Sequence, residues 1–299
     1  MSPTMSTPEP GAALLRTEGV SKYFMRGRER FKAVDDISIT VAPGETLGIV
    51  GESGSGKSTL SRCIIRLYEP DAGRVWFDGV DFTALPPSAL RAKRRDIQMI
   101  FQDPLASLNP MMTVQRAIED PLIIHGIGTA RERAHRVAEL LELVGLDAAM
   151  ASAFPFEFSG GQQQRIGIAR ALALNPKLLI CDEAVSALDV SIQAQILRLL
   201  QDLQAQLGLA YLFISHNLAV VEHMSDRLAV MYQGRLVEYG PVEEIFRAPK
   251  EAYTRTLIES VPYIPRPGGR PVRQPPLAAP LADEAPGVET ARLNGGLAG

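Results

Sequence analysis

Sulfur is scarce in this 299-residue chain: its two cysteines, Cys63 and Cys181, lie far apart, with no further thiol at metal-ligand spacing. That excludes a disulfide framework and a cysteine-ligated metal, and fits a reducing compartment. Charge of one sign is equally scarce. Lys and Arg number 31 against 34 Asp and Glu, a net charge of −3, too near zero for nucleic-acid phosphates to be the default partner. Nowhere do apolar residues run for the eighteen or so positions that a bilayer span demands. The longest apolar pieces, such as Leu178–Cys181, have strand length. Met1–Pro10 carries neither the basic start nor the apolar stretch of a secretory signal. His125, His135 and His223 have no partner at ligand spacing, and no repeat of solenoid or propeller period appears. A chain of about this length buries roughly three quarters of its unfolded surface and needs no staple. The expectation is a cytoplasmic chain that does not itself cross a membrane.

What is present is alternation. Short apolar runs at Thr46–Gly51, Ile97–Phe101, Leu178–Cys181 and Ala210–Ser215 read as buried parallel strands, separated by helical stretches. Asp78-Gly79 and Gln233-Gly234, each between β-type runs, predict two-residue hairpin turns and so an antiparallel portion beside the parallel core. Between about Asp103 and Phe158 the pattern turns helical, with Val137, Leu140, Leu141 and Val144 on one face. Arg26, Arg28, Arg30 and Lys32 read as a solvated loop. Eight of the 22 prolines fall from Pro262 onwards, which predicts a largely disordered tail. The expected fold is α/β, a parallel core with an antiparallel β subdomain and an inserted helical subdomain. The expected segments are a disordered tail over 1–12, the core with its β subdomain over 13–102 and 162–250, the helical subdomain over 103–161, and a disordered tail over 265–299.

Gly51-Glu52-Ser53-Gly54-Ser55-Gly56-Lys57-Ser58-Thr59 follows one predicted strand and precedes the apolar-periodic Leu60, Cys63, Ile64 and Leu67. This is the strand, loop, helix setting of the GxxxxGK[ST] phosphate loop, which makes the expected 13–102 and 162–250 core a nucleotide-binding one of the P-loop NTPase (RecA-like) type. Its glycines let successive N–H groups turn onto phosphate oxygens, and the helix adds its positive end. Lys57 is expected to bridge the β- and γ-phosphates, Ser58 to bind Mg²⁺, and Thr59 to reach towards the α-phosphate. At the end of another strand, Asp182 and Glu183 stand where open α/β sheets bind ligands. Asp182 is expected to hold Mg²⁺ through water and Glu183 to serve as general base or water-orienting group. Alone, two acids there would as readily cap the next helix; the phosphate loop favours the metal and water roles.

The stretch Phe158-Ser159-Gly160-Gly161-Gln162, ahead of a helix, resembles the signature motif of ATP-binding cassette proteins. Physically, Ser159 and the Gly160 and Gly161 amides make a second anion site at a helix start. The resemblance implies a head-to-tail pair of cassettes, each ATP held between one phosphate loop and the other chain's signature. It also implies roles in order along the chain. Gln102 looks like the glutamine that contacts Mg²⁺ and the attacking water, and Asp189 in Ser186–Asp189 like the loop crossing to the opposite site. His216 looks like the switch histidine on the γ-phosphate, and Phe24 like the aromatic that stacks on adenine, with Tyr23 as a substitute. No guanine-reading Asn-Lys-x-Asp occurs, which favours ATP over GTP.

Over nearly all of 14–265 the chain is similar to ATPase subunits of bacterial dipeptide and oligopeptide importers, especially the F-type subunit. The residues carrying this are Phe101–Pro110, Phe158–Gln162, Cys181–Gln195 and Tyr253–Pro262, the last making 251–264 an importer-type extension. Phe156, Phe158, Ala184 and the Glu251-Ala252 pair depart from the usual pattern without touching a phosphate or metal ligand. The resemblance implies ATP and Mg²⁺ as ligands, hydrolysis coupled to uptake, and a peripheral place on the cytoplasmic face of the inner membrane. Implied partners are two integral-membrane permeases, an extracytoplasmic substrate-binding protein and a second ATPase, as a heterodimer or else a homodimer, with no nucleic acid. The cargo stays open among peptides, nickel, glutathione and opine-like solutes. A soluble cassette clamp on DNA or ribosomes is the alternative, although no coiled-coil insert or basic arm is visible.

Overall fold

The computed structural model describes residues 13–27, 29–103, 107–260, 263–264 and 272–273. Six strands form the central sheet: β4 (Thr46–Val50), β7 (Ile97–Ile100), β8 (Leu178–Asp182), β9 (Ala210–Ile214), β10 (Arg227–Tyr232) and β11 (Arg235–Pro241), in the order β11-β10-β4-β9-β8-β7. All pairs are parallel except β10 with β11. β4, β8 and β9 are buried at every position, as strands covered on both faces must be. Their side chains alternate between two cores. Leu47, Ile180, Leu212 and Ile214 join one cluster; Val50, Cys181, Tyr211 and Phe213 join the other.

The first cluster lies under α1 (Lys57–Ile64) and an antiparallel sheet in which β1 (Leu15–Arg26) pairs with β2 (Glu29–Ile37), β3 (Thr40–Val41) and β5 (Ala72–Phe77), and β5 pairs with β6 (Val80–Asp81). The second holds α3 (Val114–Ile124), α4 (Ala130–Leu143), α5 (Gly160–Leu172), α6 (Val190–Leu207) and α7 (Leu218–Met224), with Val137, Leu140, Leu141 and Val144 all buried in it. A short α2 (Pro87–Lys93) precedes β7. The expected boundary after Gly161 falls in the first turn of α5, so one helix serves both the helical segment and the sheet.

Both hairpin turns are left-handed at both central residues, Asp78 and Gly79 at φ 51° and 75°, Gln233 and Gly234 at 47° and 81°. That geometry matches the twist of the flanking strands. The expected solvated loop around Arg26–Lys32 is instead strand: β1 runs to Arg26 and β2 resumes at Glu29. The ribbon holds because its cations lie on an aromatic ring, with Arg30 at 3.7 Å and Lys32 at 5.5 Å from the Tyr23 centroid. Arg28 lies outside the described residues.

After β11 come α8 (Val242–Arg247) and α9 (Ala252–Glu259). The buried Glu238 carboxylate accepts from the N–H groups of Lys250 and Glu251 at 2.9 and 3.3 Å, and Ile258 enters the second core. Tyr263–Ile264, at the end of the expected 251–264 extension, pairs antiparallel with Val272–Arg273, inside the stretch expected to be a disordered tail. The rest of that stretch, and the tail expected over 1–12, lie outside the described residues. Among the described residues no helix is long and apolar enough to cross a membrane.

Candidate nucleotide site

Parallel pairing brings the C-terminal ends of β4, β7, β8 and β9 to one edge, with Gly51, Gln102, Glu183 and His216 just beyond them. This is the edge where open α/β sheets bind ligands. A cleft of about 390 Å³ opens there, lined by Phe24, Ser53, Gly54, Gly56, Lys57, Ser58, Thr59, Gln102 and Glu183, and also by Phe31 and Ala33. A cavity of about 440 Å³ at the opposite end of the strands, between Leu14 and Leu209, contains none of the motif residues.

The loop after β4 turns into α1 at Gly56, whose φ is 102°. A Cβ there would stand 2.1 Å from the Ala33 carbonyl oxygen, so glycine alone lets the loop lie against β2. The start of α1 has no side-chain cap and no acid in its first turn, which leaves its N–H groups open to an anion. Lys57 is buried, and its ammonium donates to the carbonyls of Gly51 and Glu52 at 2.7 and 2.8 Å and to Ser55 Oγ at 3.4 Å. Burial pushes its pKa down, against the pull of Glu183, Asp182 and Glu52. Gly51, Glu52 and Ser55 thus lie outside the cleft lining and hold the lysine.

Ser58 Oγ donates to Asp182 Oδ1 at 2.8 Å across 124 residues of sequence. Burial pushes the Asp182 carboxyl up, against the Ser58 hydroxyl and Arg62. Glu183 adopts the left-handed region at φ 52°, and its N–H bonds the Ile214 carbonyl at 2.9 Å. A non-glycine residue held there is strained. Its Oε2 lies 3.4 Å from His216 Nδ1, the histidine half exposed and the glutamate nearly enclosed.

Phe24 lines the cleft, edge-on to Tyr68 at 5.4 Å, whereas the Tyr23 ring is taken by Arg30 and Lys32. Phe31, not singled out from the sequence, is the cross-strand partner of Phe24 and lines the same cleft. Only the hairpin register could have revealed it. Ser159 through Gln162 and Asp189 do not line the cleft. Ser159 caps α5, its hydroxyl accepting from the Gln162 N–H at 3.4 Å, while the Gln162 amide oxygen accepts from the Ser159 N–H at 3.0 Å. Asp189 precedes α6 and makes no side-chain cap.

With this geometry in hand, comparisons with known proteins agree on one family. The model described as ABC transporter matches residues 34–186, from β2 through the acids after β8. The chain belongs to the ABC transporter family. Its fold is that of an ATP-binding cassette of the P-loop type, with the mixed sheets described above. The model described as the oligopeptide/dipeptide transporter C-terminal region matches residues 237–287 of this cassette. The glutathione import ATP-binding protein GsiA of Escherichia coli K12 is 54% identical over 85% of the chain, and its Salmonella paratyphi A counterpart 53% over 89%. The cassette spans only 40–42% of the length of these relatives. Among solved structures, the ATP-binding cassette MJ0796, in a dimeric post-hydrolysis state bound to ADP and Pi, is 32% identical with a TM-score of 0.70, covering 76% of this chain and 98% of that one. The protein cbiO1 from Clostridium perfringens, part of the ABC transporter complex cbiONQ, is 26% identical at a TM-score of 0.70, covering 79% and 92%.

Proposed function

We propose that this cassette is the ATP-hydrolysing subunit of an importer for di- or oligopeptides or a related small solute such as glutathione. The observation carrying the reading is the convergence of Lys57, the Ser58–Asp182 hydrogen bond and the Glu183–His216 contact at one strand edge. The match of residues 237–287 to a peptide-transporter C-terminal region, and the likeness to GsiA, support the cargo class.

ATP would enter with its base against Phe24 and its phosphates on the Ser53–Thr59 amides. A γ-phosphate gives Lys57 a charged acceptor in place of two neutral carbonyls, a stronger hydrogen bond. Ser58 Oγ and the Asp182 carboxylate, adjoining hard oxygen donors with Gln102 on the same cleft, fit Mg²⁺. When bound, Mg²⁺ supplies charge neutralisation between the β- and γ-phosphates. Glu183 orients the attacking water and takes its proton; the water oxygen bonds to the γ-phosphorus as the bond to the β-bridging oxygen breaks, giving ADP and phosphate. His216 steadies the glutamate and reaches the γ-phosphate. The signature turn of a second cassette completes the site across the interface, while this chain's Ser159, Gly160, Gly161 and Gln162, with Asp189 beside them, complete the second cassette's site. That second cassette is a related ATPase rather than another copy of this chain.

Two permeases and an external binding protein complete the transporter, with this chain at the cytoplasmic face. Exposed apolar side chains in the helical segment support permease docking: Met111, and Phe154 stacked on Phe156 at 5.7 Å. Replacing Glu183 by Gln is expected to keep ATP binding while cutting hydrolysis by roughly 10²- to 10⁴-fold, the range of a lost general base. Tagged Glu183→Gln protein, captured with ATP from detergent-solubilised host membranes, should bring two multispanning permeases and a second cassette. Ribosomal or DNA-bound partners alone would overturn the importer reading.

A further inference from the structure

The peptide joining Gly51 to Glu52 is held from both sides. Its carbonyl accepts from Lys57 Nζ at 2.7 Å, and its N–H donates to the hydroxyl of Tyr253 at 3.1 Å, a contact spanning 201 residues. Tyr253 is the second residue of α9, outside the nucleotide fold proper. Its hydroxyl does not depend on the loop for its place. The ring rests on Tyr232 at 4.3 Å, the last residue of β10, which pairs with β4. One residue on, Thr254 is buried, and Ile258 is buried one turn later. Before α9, the Glu238 carboxylate fixes the backbone of Lys250 and Glu251. The helix is therefore clamped at its start and along its inner face, and Tyr253 projects from it onto the phosphate loop.

A peptide whose N–H is engaged presents a more strongly polarised carbonyl, so the two bonds reinforce each other. They also fix the orientation of the plane against which Lys57 is parked. We propose that Tyr253 is a positioning residue for the phosphate loop, its hydroxyl holding the Gly51–Glu52 peptide so that Lys57 and the following amides stand ready for phosphate. This rests on Gly51–Thr59 being the ATP phosphate site. It gives the C-terminal extension a role in nucleotide binding without contact to nucleotide. Coupling between two sites is reciprocal, so nucleotide on the loop must also steady α9.

The test uses the full chain with Mg²⁺ and adenylyl imidodiphosphate as probe. Tyr253→Phe keeps the ring on Tyr232 and removes only the hydroxyl. Losing one hydrogen bond to a backbone N–H should weaken nucleotide binding about three- to tenfold. The Glu52 amide should exchange with deuterium at least about tenfold faster, and the nucleotide-induced slowing of exchange over Ala252–Glu259 expected of the wild type should vanish. Leu257→Ala loosens the same helix while leaving the hydroxyl, so it should lower the melting temperature with little change in affinity. Unchanged affinity and unchanged Glu52 exchange in Tyr253→Phe would overturn the proposal, as would an equal affinity loss in Leu257→Ala. Lys57→Ala run alongside separates the two readings. If it binds probe like the wild type, the phosphate-loop reading itself fails; if it does not bind while Tyr253→Phe is silent, only the role of Tyr253 fails.

Discussion

Two helices of this cassette begin at glycine-containing turns, and they begin in opposite ways. α1 starts at Gly56 with no side-chain acceptor for its first N–H groups and no acid in its own first turn, and its lysine is folded back onto the loop's own carbonyls. α5 starts at Ser159 inside a complete capping box, both halves supplied by Ser159 and Gln162. A bare helix start is intrinsically unfavourable and is relieved by an anion, so affinity is stored there. A capped start is stable on its own, and its box leaves the N–H groups of Gly160 and Gly161 for a ligand. One half-site is therefore built to bind, and the other stands without a ligand.

If that contrast holds, the largest effect belongs to Lys57→Ala. Losing a charge-assisted hydrogen bond should weaken ATP binding about ten- to a hundredfold by calorimetric titration. Next comes a paired glycine test. Gly56→Ala drives its methyl towards backbone at 2.1 Å in a left-handed conformation, and should cost about 2–4 kcal/mol in urea unfolding. Gly161→Ala meets the Cγ2 methyl of Ile192 at 2.6 Å, a side chain stiff at χ1, in a helix that otherwise favours alanine, and should cost about 1–2 kcal/mol. Equal losses would erase the distinction between the two turns. Smaller again, Ser159→Ala removes a cap and should cost about 1 kcal/mol of stability. It should leave ATP binding by the isolated chain unchanged.

The smallest effect concerns the backing of α1. Burial pushes the thiols of Cys63, on that helix, and Cys181, in β8, up to about 12. Only the thiolate reacts, so native-state alkylation should be slow and rise about tenfold per pH unit through pH 10. A plateau near pH 9, the mark of an ordinary thiol, would mean that α1 opens from the core.

The local chemistry of the site was legible in the sequence because each motif is a contiguous run with its own element. The loop at Gly51–Thr59 needs only the strand before it and the helix after it, and the hairpins at Asp78-Gly79 and Gln233-Gly234 need only their two turn residues. What escaped depends on register or on distant contact. Phe31 enters the cleft only because β1 and β2 pair Phe24 with it. The charged run from Arg26 to Lys32 reads as loop; Arg30 and Lys32 are indeed exposed, but the run is strand, with the Tyr23 ring beneath Arg30. Nothing near Tyr253 indicates that its hydroxyl meets an amide 201 residues earlier.

The strand order has a bearing on how the chain is made. β4, which carries the phosphate loop, is paired by β9 on one side and β10 on the other, and β9 begins about 160 residues after β4 ends. At ribosomal speeds of roughly 5–20 residues per second, this apolar strand emerges and waits on the order of ten to thirty seconds with neither neighbour synthesised. During that interval both of its edges are open to wrong partners. The most sensitive strand in the molecule is thus the one a chaperone has most reason to shield, and a slowly translated stretch between α1 and β9 would lengthen its exposure.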